Sequence, residues 1–327
     1  MVGDSPEAQH NVFASLGSSL GPALRAECED RLGEIRWFRA DWQRGGASTA
    51  YSDWRGDDGS TREVMIKLPV GPVERRITTE LSETDAHTPV VVAHGVELGG
   101  YDLAWLVMER LPGNPLSHEK PSKQLFEDLA EAAAGFYRVE AALHRPDGQA
   151  HRTDWTALIE KARIDARTSD IAHQQHWNDL IKQTHKLLNK LLPIWRGRDT
   201  HTWRHGDLHI GNAMRRPDGS PWGPPGCVLL DFAEVGLGHW VEDAIYLERM
   251  YWAKPNKLCG VKPVKALAKA RKKQGLDNGA DYNDLANIRR VFLSACVPAF
   301  LHREGHPVYL EAALGVLEQS LPLVSKL

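Results

Sequence analysis

The chain has 327 residues, of which 42% are hydrophobic and 25% charged, with a formal net charge of -3. That length can bury the core of one large domain or two modest ones. The charge balance weighs against a general nucleic-acid binder, which is usually basic.

In chain order, residues 1–36 read as a lead-in with a helical stretch over 23–32. Residues 37–41 and 49–54 read as strand pieces around the turn Arg44-Gly45-Gly46-Ala47-Ser48. Asp57-Asp58-Gly59-Ser60 is a turn signal before the next strand. That strand, 63–70, sets Val64, Ile66 and Leu68 on one face and Lys67 on the other, because strand side chains alternate. A charged helix over 74–87 and strands over 89–96 and 103–111 complete a β-rich first third. After Pro112-Gly113-Asn114-Pro115, a hinge signal, the pattern turns helical over 124–143 and again over 154–195. Two short strands return around 205–232, on either side of Arg216-Pro217-Asp218-Gly219-Ser220. Beyond Trp240 the chain reads as helical to its end, and Lys262–Lys273 shows the spacing of a solvated amphipathic helix. The expected class is α+β, with a β-rich N-terminal lobe over 1–111 and a mostly helical C-terminal lobe over 112–327.

Two segments carry chemistry. The first is His205-Gly206-Asp207-Leu208-His209-Ile210-Gly211-Asn212, and the second is Val228-Leu229-Leu230-Asp231-Phe232. Phosphoryl transfer needs a carboxylate beside the attacking hydroxyl and hard oxygen ligands for magnesium on the phosphates. Asp207 suits the first role, while Asn212 and Asp231 suit the second. The apolar run before Asp231 reads as a buried strand delivering that carboxylate to a cleft. In the first third, Val64-Met65-Ile66-Lys67 matches a kinase strand whose lysine binds the α and β phosphates. Glu80 on the following helix is the candidate partner for that lysine, with Glu83 as runner-up.

These segments resemble the signature of the aminoglycoside phosphotransferase and choline kinase superfamily, H-G-D-x-x-x-x-N followed by a strand ending in D-[FW]. The resemblance covers residues 35–250 and continues through Gly236-Leu237-Gly238 and Glu242-Asp243-Ala244, where that superfamily has a glycine turn and a structural aspartate. It implies a bilobal protein-kinase-like fold, ATP or GTP as phosphoryl donor, and Mg2+. It also implies that Leu106–Gly113 is the hinge strand, with backbone groups of Met108, Glu109 and Leu111 bonding the base. Gly45, Gly46 and Ser48 would cover the phosphates, although the G-x-G-x-x-G form is absent.

The acceptor is a small hydroxyl-bearing molecule, assigned to Glu242, Tyr246, Glu248 and Trp252 after the metal segment, with Trp240 and Tyr251 nearby. Carboxylates there could hold an amino sugar, and rings a quaternary ammonium. An aminoglycoside, a choline-like amine, an amino-acid alcohol and a sugar all stay open. The same aromatic stripe also reads as plain core. Two other classes stand beside the kinase: an inactive nucleotide-binding homologue, and a zinc hydrolase built on the alternating His205, Asp207 and His209. Otherwise the two histidines shape the loop, Asp243 ties it, and His173 and His176 face solvent. Cys28, Cys227, Cys259 and Cys296 form no C-x-x-C pair. The chain shows neither a secretory start nor an apolar run near the ~20 residues of a membrane helix. A cytoplasmic protein without membrane or nucleic-acid partners is the expectation.

Overall fold

The computed structural model describes residues 19–38, 47–139, 143 and 153–327. The glycines Gly45 and Gly46 lie outside the described residues. Contacts divide the chain into two units. One comprises residues 1–116, 141–144 and 211–235; the other comprises 117–140, 145–210 and 236–327.

The first unit is built on an antiparallel sheet in the order β1 (Arg36–Phe38), β2 (Ser48–Arg55), β3 (Thr61–Leu68), β5 (Trp105–Glu109), β4 (Val91–Gly95). The alternation expected of β3 is present: Val64, Ile66 and Leu68 are fully buried. They pack with Ala50, Trp54, Trp105 and Val107, and with Leu20 and Leu24 from a helix over residues 19–27, α1. Each such side chain contributes roughly 1.5–3 kcal/mol by leaving water. Helix α2 (Pro72–Ser82) starts with Pro72 in its first turn, where the missing N–H costs nothing.

The second unit is mostly helical. It holds α3 (Lys123–Val139), α4 (Trp155–Thr168), α5 (Gln174–Arg196), α6 (Val241–Arg249), α7 (Pro263–Lys273), α8 (Tyr282–Ala295), α9 (Leu301–Glu304) and α10 (Pro307–Val324). Helix α3 packs on α7, α4 on α5, and α8 on α10. In α7 the lysines face outward as the spacing predicted, but Arg271 is buried, with its guanidinium over the rings of Tyr137 and Trp240.

One pairing departs from the sequence reading. Gly236-Leu237-Gly238, read as a turn, is strand β9 (Gly236–Gly238) and pairs antiparallel with β6 (Thr202–Arg204). Flanking glycines look like turn chemistry, yet here the second of them admits a close neighbour. A Cβ on Gly238 would lie 2.7 Å from the Arg204 side chain.

Candidate active site

The sheet unit contributes a lysine, two carboxylates and an amide. Lys67 leaves β3 on the face opposite its buried neighbours, and its Nζ bonds Glu74 Oε1 and lies 3.4 Å from Asp231 Oδ1. Burial pulls this ammonium down, but Glu74 and Asp231 outweigh it and hold Lys67 above its ordinary value. Burial pushes the Glu74 carboxyl up against the pull of Lys67. The partner of Lys67 is therefore Glu74, not Glu80 or Glu83. Helix geometry explains the correction. Glu74 lies in the first turn of α2, where the chain has just left β3. Glu80 is about 9 Å further along the axis and turned about 240° from it. Glu83 is the C-cap, half a turn off that face.

Asp231 and Asn212 are brought together by a hairpin, β7 (Ala213–Arg216) with β8 (Gly226–Leu229), in the register Ala213 to Leu229 and Arg216 to Gly226. Just past its paired end, the Leu230 N–H donates to the Asn212 carbonyl at 2.8 Å. Asp231 follows in a left-handed conformation, φ 61°, with its side chain 43% exposed. Asp is among the non-glycine residues enriched in that region.

The expected base-reading segment lies at the end of β5. Met108 stands opposite Met65 and Val91 inside the sheet. The Glu109 N–H donates to the Val90 carbonyl (2.7 Å) and the Arg110 N–H to the Glu63 carbonyl (3.3 Å). Leu111 follows, and among the described residues no partner is found for its N–H. The Glu109 side chain is not open to a ligand; it is buried against Arg216. Ser48 begins β2 opposite Leu68.

The helical unit carries Asp207. Its Oδ1 accepts from the Tyr246 hydroxyl at 2.5 Å and lies 3.5 Å from His209 Nε2. Its N–H donates to Nδ1 of the fully buried His205 (3.3 Å). Asp243, buried at the start of α6, fastens the loop. Its Oδ2 accepts from the Tyr137 hydroxyl (2.7 Å) and the His205 N–H (2.8 Å), and its Oδ1 from the Gly206 N–H (2.8 Å). Gly206 has φ 85°, a conformation that strains any side chain.

The residues expected to hold the acceptor are otherwise engaged. Glu242 is bound by Arg198 (3.0 and 2.9 Å), with Arg289 (3.9 Å) and Arg204 (4.0 Å) beyond. Burial pushes its carboxyl up, but these arginines prevail and hold it below the usual value. Glu248 takes both arms of the Arg290 fork at 2.7 Å. Trp252 is buried and stacked on Tyr309. Tyr246 serves Asp207 instead. Sequence spacing put these residues in one stretch but could not show the arginines that meet them, which lie more than 40 positions away in most cases. Glu74 and Arg216 were missed altogether. Pro72 was the signal for Glu74, because it marks where the helix starts.

The sequence profile of the family described as Phosphotransferase enzyme family (APH) matches residues 54–278. No curated protein matches the chain in sequence. Among solved structures, a candidate aminoglycoside phosphotransferase from Ralstonia eutropha JMP134 is 15% identical, with a TM-score of 0.59 over 93% of this chain and 98% of that one. A microcompartment-associated aminopropanol kinase is 16% identical, with a TM-score of 0.54 over 90% and 92% of the two chains. Choline kinase from Cryptosporidium parvum Iowa II is 11% identical, with a TM-score of 0.53 over 97% and 96%. At such identities the likeness is one of fold, and the fold is the protein-kinase-like α+β one.

Proposed function

The chain belongs to the phosphotransferase enzyme family, as a small-molecule phosphotransferase, and we propose that it moves the γ-phosphoryl group of ATP or GTP to a hydroxyl of its acceptor. The observation that carries this reading is the Lys67 ammonium held by Glu74 and Asp231, residues from three separate stretches of chain. A lysine on a solvated strand has no need of two carboxylates. One that must meet phosphates needs a fixed, charged ammonium, and Glu74 supplies the fixing.

The donor set fits magnesium. Asp231 offers a half-open carboxylate and Asn212 an amide, tied to each other through the Leu230 N–H. Magnesium keeps most of its ligands as water and phosphate and needs only one or two protein groups. When bound there it would neutralise charge on the phosphate oxygens. Lys67 would bind the α and β phosphates. The Leu111 N–H and nearby carbonyls would read the base. Asp207 would orient the acceptor hydroxyl and take its proton as the oxygen attacks phosphorus in line, without a phospho-enzyme. The Tyr246 hydroxyl donates to one oxygen of that carboxylate and orients it, with His209 Nε2 3.5 Å from the same oxygen. The rate would come from positioning and electrostatic stabilisation.

Glu242 and Glu248 are neutralised by arginines, so they do not argue for a polycationic antibiotic over a choline-like amine, an amino-acid alcohol or a sugar. An inactive homologue would have no reason to retain all four of Lys67, Asp207, Asn212 and Asp231 in its sequence. A zinc site is disfavoured by His205, whose buried ring already bonds the Asp207 N–H. A triphosphate-consuming enzyme with scattered thiols fits the cytoplasm; no helix among the described residues is long and apolar enough to cross a membrane.

The test is coupled nucleoside diphosphate release over a panel of hydroxyl compounds, with ATP and GTP compared. Asp207→Asn should lose a factor of about 10² to 10⁴ in kcat at unchanged melting temperature. Near-normal turnover would remove Asp207 from this role.

A further inference from the structure

We propose that Arg216 is a positioning residue for the phosphoryl donor, its fork on Glu109 fixing the base-reading end of β5 to the hairpin that carries Asn212 and Asp231. The inference rests on the donor site assigned above and adds a residue that no motif marks.

The geometry lies wholly within the sheet unit. Arg216 Nε meets Glu109 Oε1 at 2.7 Å and Nη2 meets Oε2 at 2.5 Å, with both side chains almost completely buried. The same Nη2 donates to the Thr88 carbonyl (3.0 Å), and Nη1 to the Pro224 carbonyl (3.4 Å). Glu109 Oε2 also accepts from the Val90 N–H (3.3 Å). A second fastening runs beside it, from the Leu229 N–H to the His87 carbonyl at 2.9 Å.

Both ends of this bridge matter to the donor. Glu109 is two residues before Leu111, so its side chain sets the main chain that would read the base. Arg216 ends β7, whose other end adjoins Asn212, about 10 Å along the strand. The returning strand β8 leads to Asp231. A nucleotide has a fixed span from base to terminal phosphate. A bidentate, buried fork is a stiffer spacer than packing alone, because it sets direction as well as contact.

Stability alone does not account for this pair. A buried ion pair is often matched or bettered by apolar residues of similar size. That gives the discriminating experiment. Arg216→Lys keeps the charge and loses the fork. The double variant Glu109→Met with Arg216→Met removes the charge and keeps an apolar filling. Each is compared with wild type for thermal midpoint, for binding of a fluorescent nucleoside diphosphate with and without magnesium, and for the KM of donor and acceptor.

The expected result is a double variant that melts near wild type, yet binds the diphosphate about tenfold more weakly or worse. The donor KM should rise with it, while the acceptor KM stays within twofold. Arg216→Lys should show the same split. A double variant that regains wild-type donor binding with its stability would overturn the proposal and leave a structural pair. Loss of donor and acceptor binding in equal measure would overturn it too. A wild type that binds no nucleotide would bring down the donor site itself; a wild type that binds while both variants match it would bring down this inference alone.

Discussion

At the scale of single residues, the Lys67 pairing yields a sharp test, because two helix glutamates compete for the role on sequence grounds. Glu74→Gln keeps an acceptor atom but removes the charge that offsets the burial of Lys67. The donor KM should rise several-fold. Glu80→Gln, on another face of α2, should leave it within twofold; the reverse ranking would refute the assignment. Tyr246 supports a second prediction. Its hydroxyl bonds Asp207 at 2.5 Å, and losing a hydrogen bond to a charged group costs about 1.5–3 kcal/mol. If that bond holds Asp207 in place to receive the acceptor's proton, Tyr246→Phe should lower kcat by roughly ten- to a hundredfold with both KM values nearly unchanged. A large rise in acceptor KM at constant kcat would instead return Tyr246 to the acceptor pocket. The identity of Asp207, Asn212, Asp231 and Lys67 as candidates was legible because fixed spacings carry them. Arg216 and the arginines around Glu242 were not, because a side-chain pair between distant segments leaves no local pattern; Glu74, seven positions from Lys67, was marked only by the helix start at Pro72.

At the scale of elements, period and punctuation were readable and long-range pairing was not. Strand β3 showed its two faces in sequence, α7 showed its apolar stripe, and α3 showed itself as a long helical pattern. The antiparallel match of β6 with β9 had no such mark, since three-residue strands are too short for alternation. Helix α6 shows how an element shapes the loop it supports. Its Asp243 receives three donors, two of them consecutive main-chain N–H groups that hold His205 and Gly206 in the turn before Asp207. In Asp243→Asn the amide nitrogen must face donors on one side. Each stranded buried donor costs about 1–3 kcal/mol. The melting temperature should drop by several degrees, and kcat should fall further than the folded fraction does, because the turn presents Asp207. Circular dichroism melts run beside turnover at a temperature where the variant is fully folded separate the two effects. Unchanged kcat there would mean that the turn keeps its form without the carboxylate.

At the scale of the whole molecule, the response to acid should be dominated by a group outside the proposed chemistry. His239 is buried between β9 and α6, and its ring is pushed down from 6.5 to about 4. Burial is the main cause and the Arg271 charge the next; Arg198 adds to it, while Glu242 and Asp281 oppose. Above pH 6.5 the ring is neutral whether the chain is folded or not, so it adds no pH dependence. Between 6.5 and about 4 the unfolded chain takes up a proton that the native ring refuses, and stability falls as pH falls. Below about 4 that loss is complete, at about 3 kcal/mol. Paired carboxylates such as Glu242, held below their usual value, lose their share further toward acid. The first part of the acid decline should therefore vanish in His239→Asn, whose side-chain oxygen can still accept the Val241 N–H that Nδ1 now receives (3.3 Å). Urea midpoints at pH 7, 6, 5 and 4.5 would read this directly. Wild type should lose stability steadily across the series while the variant stays nearly flat to pH 5; parallel curves would show that the buried ring is not the group that titrates.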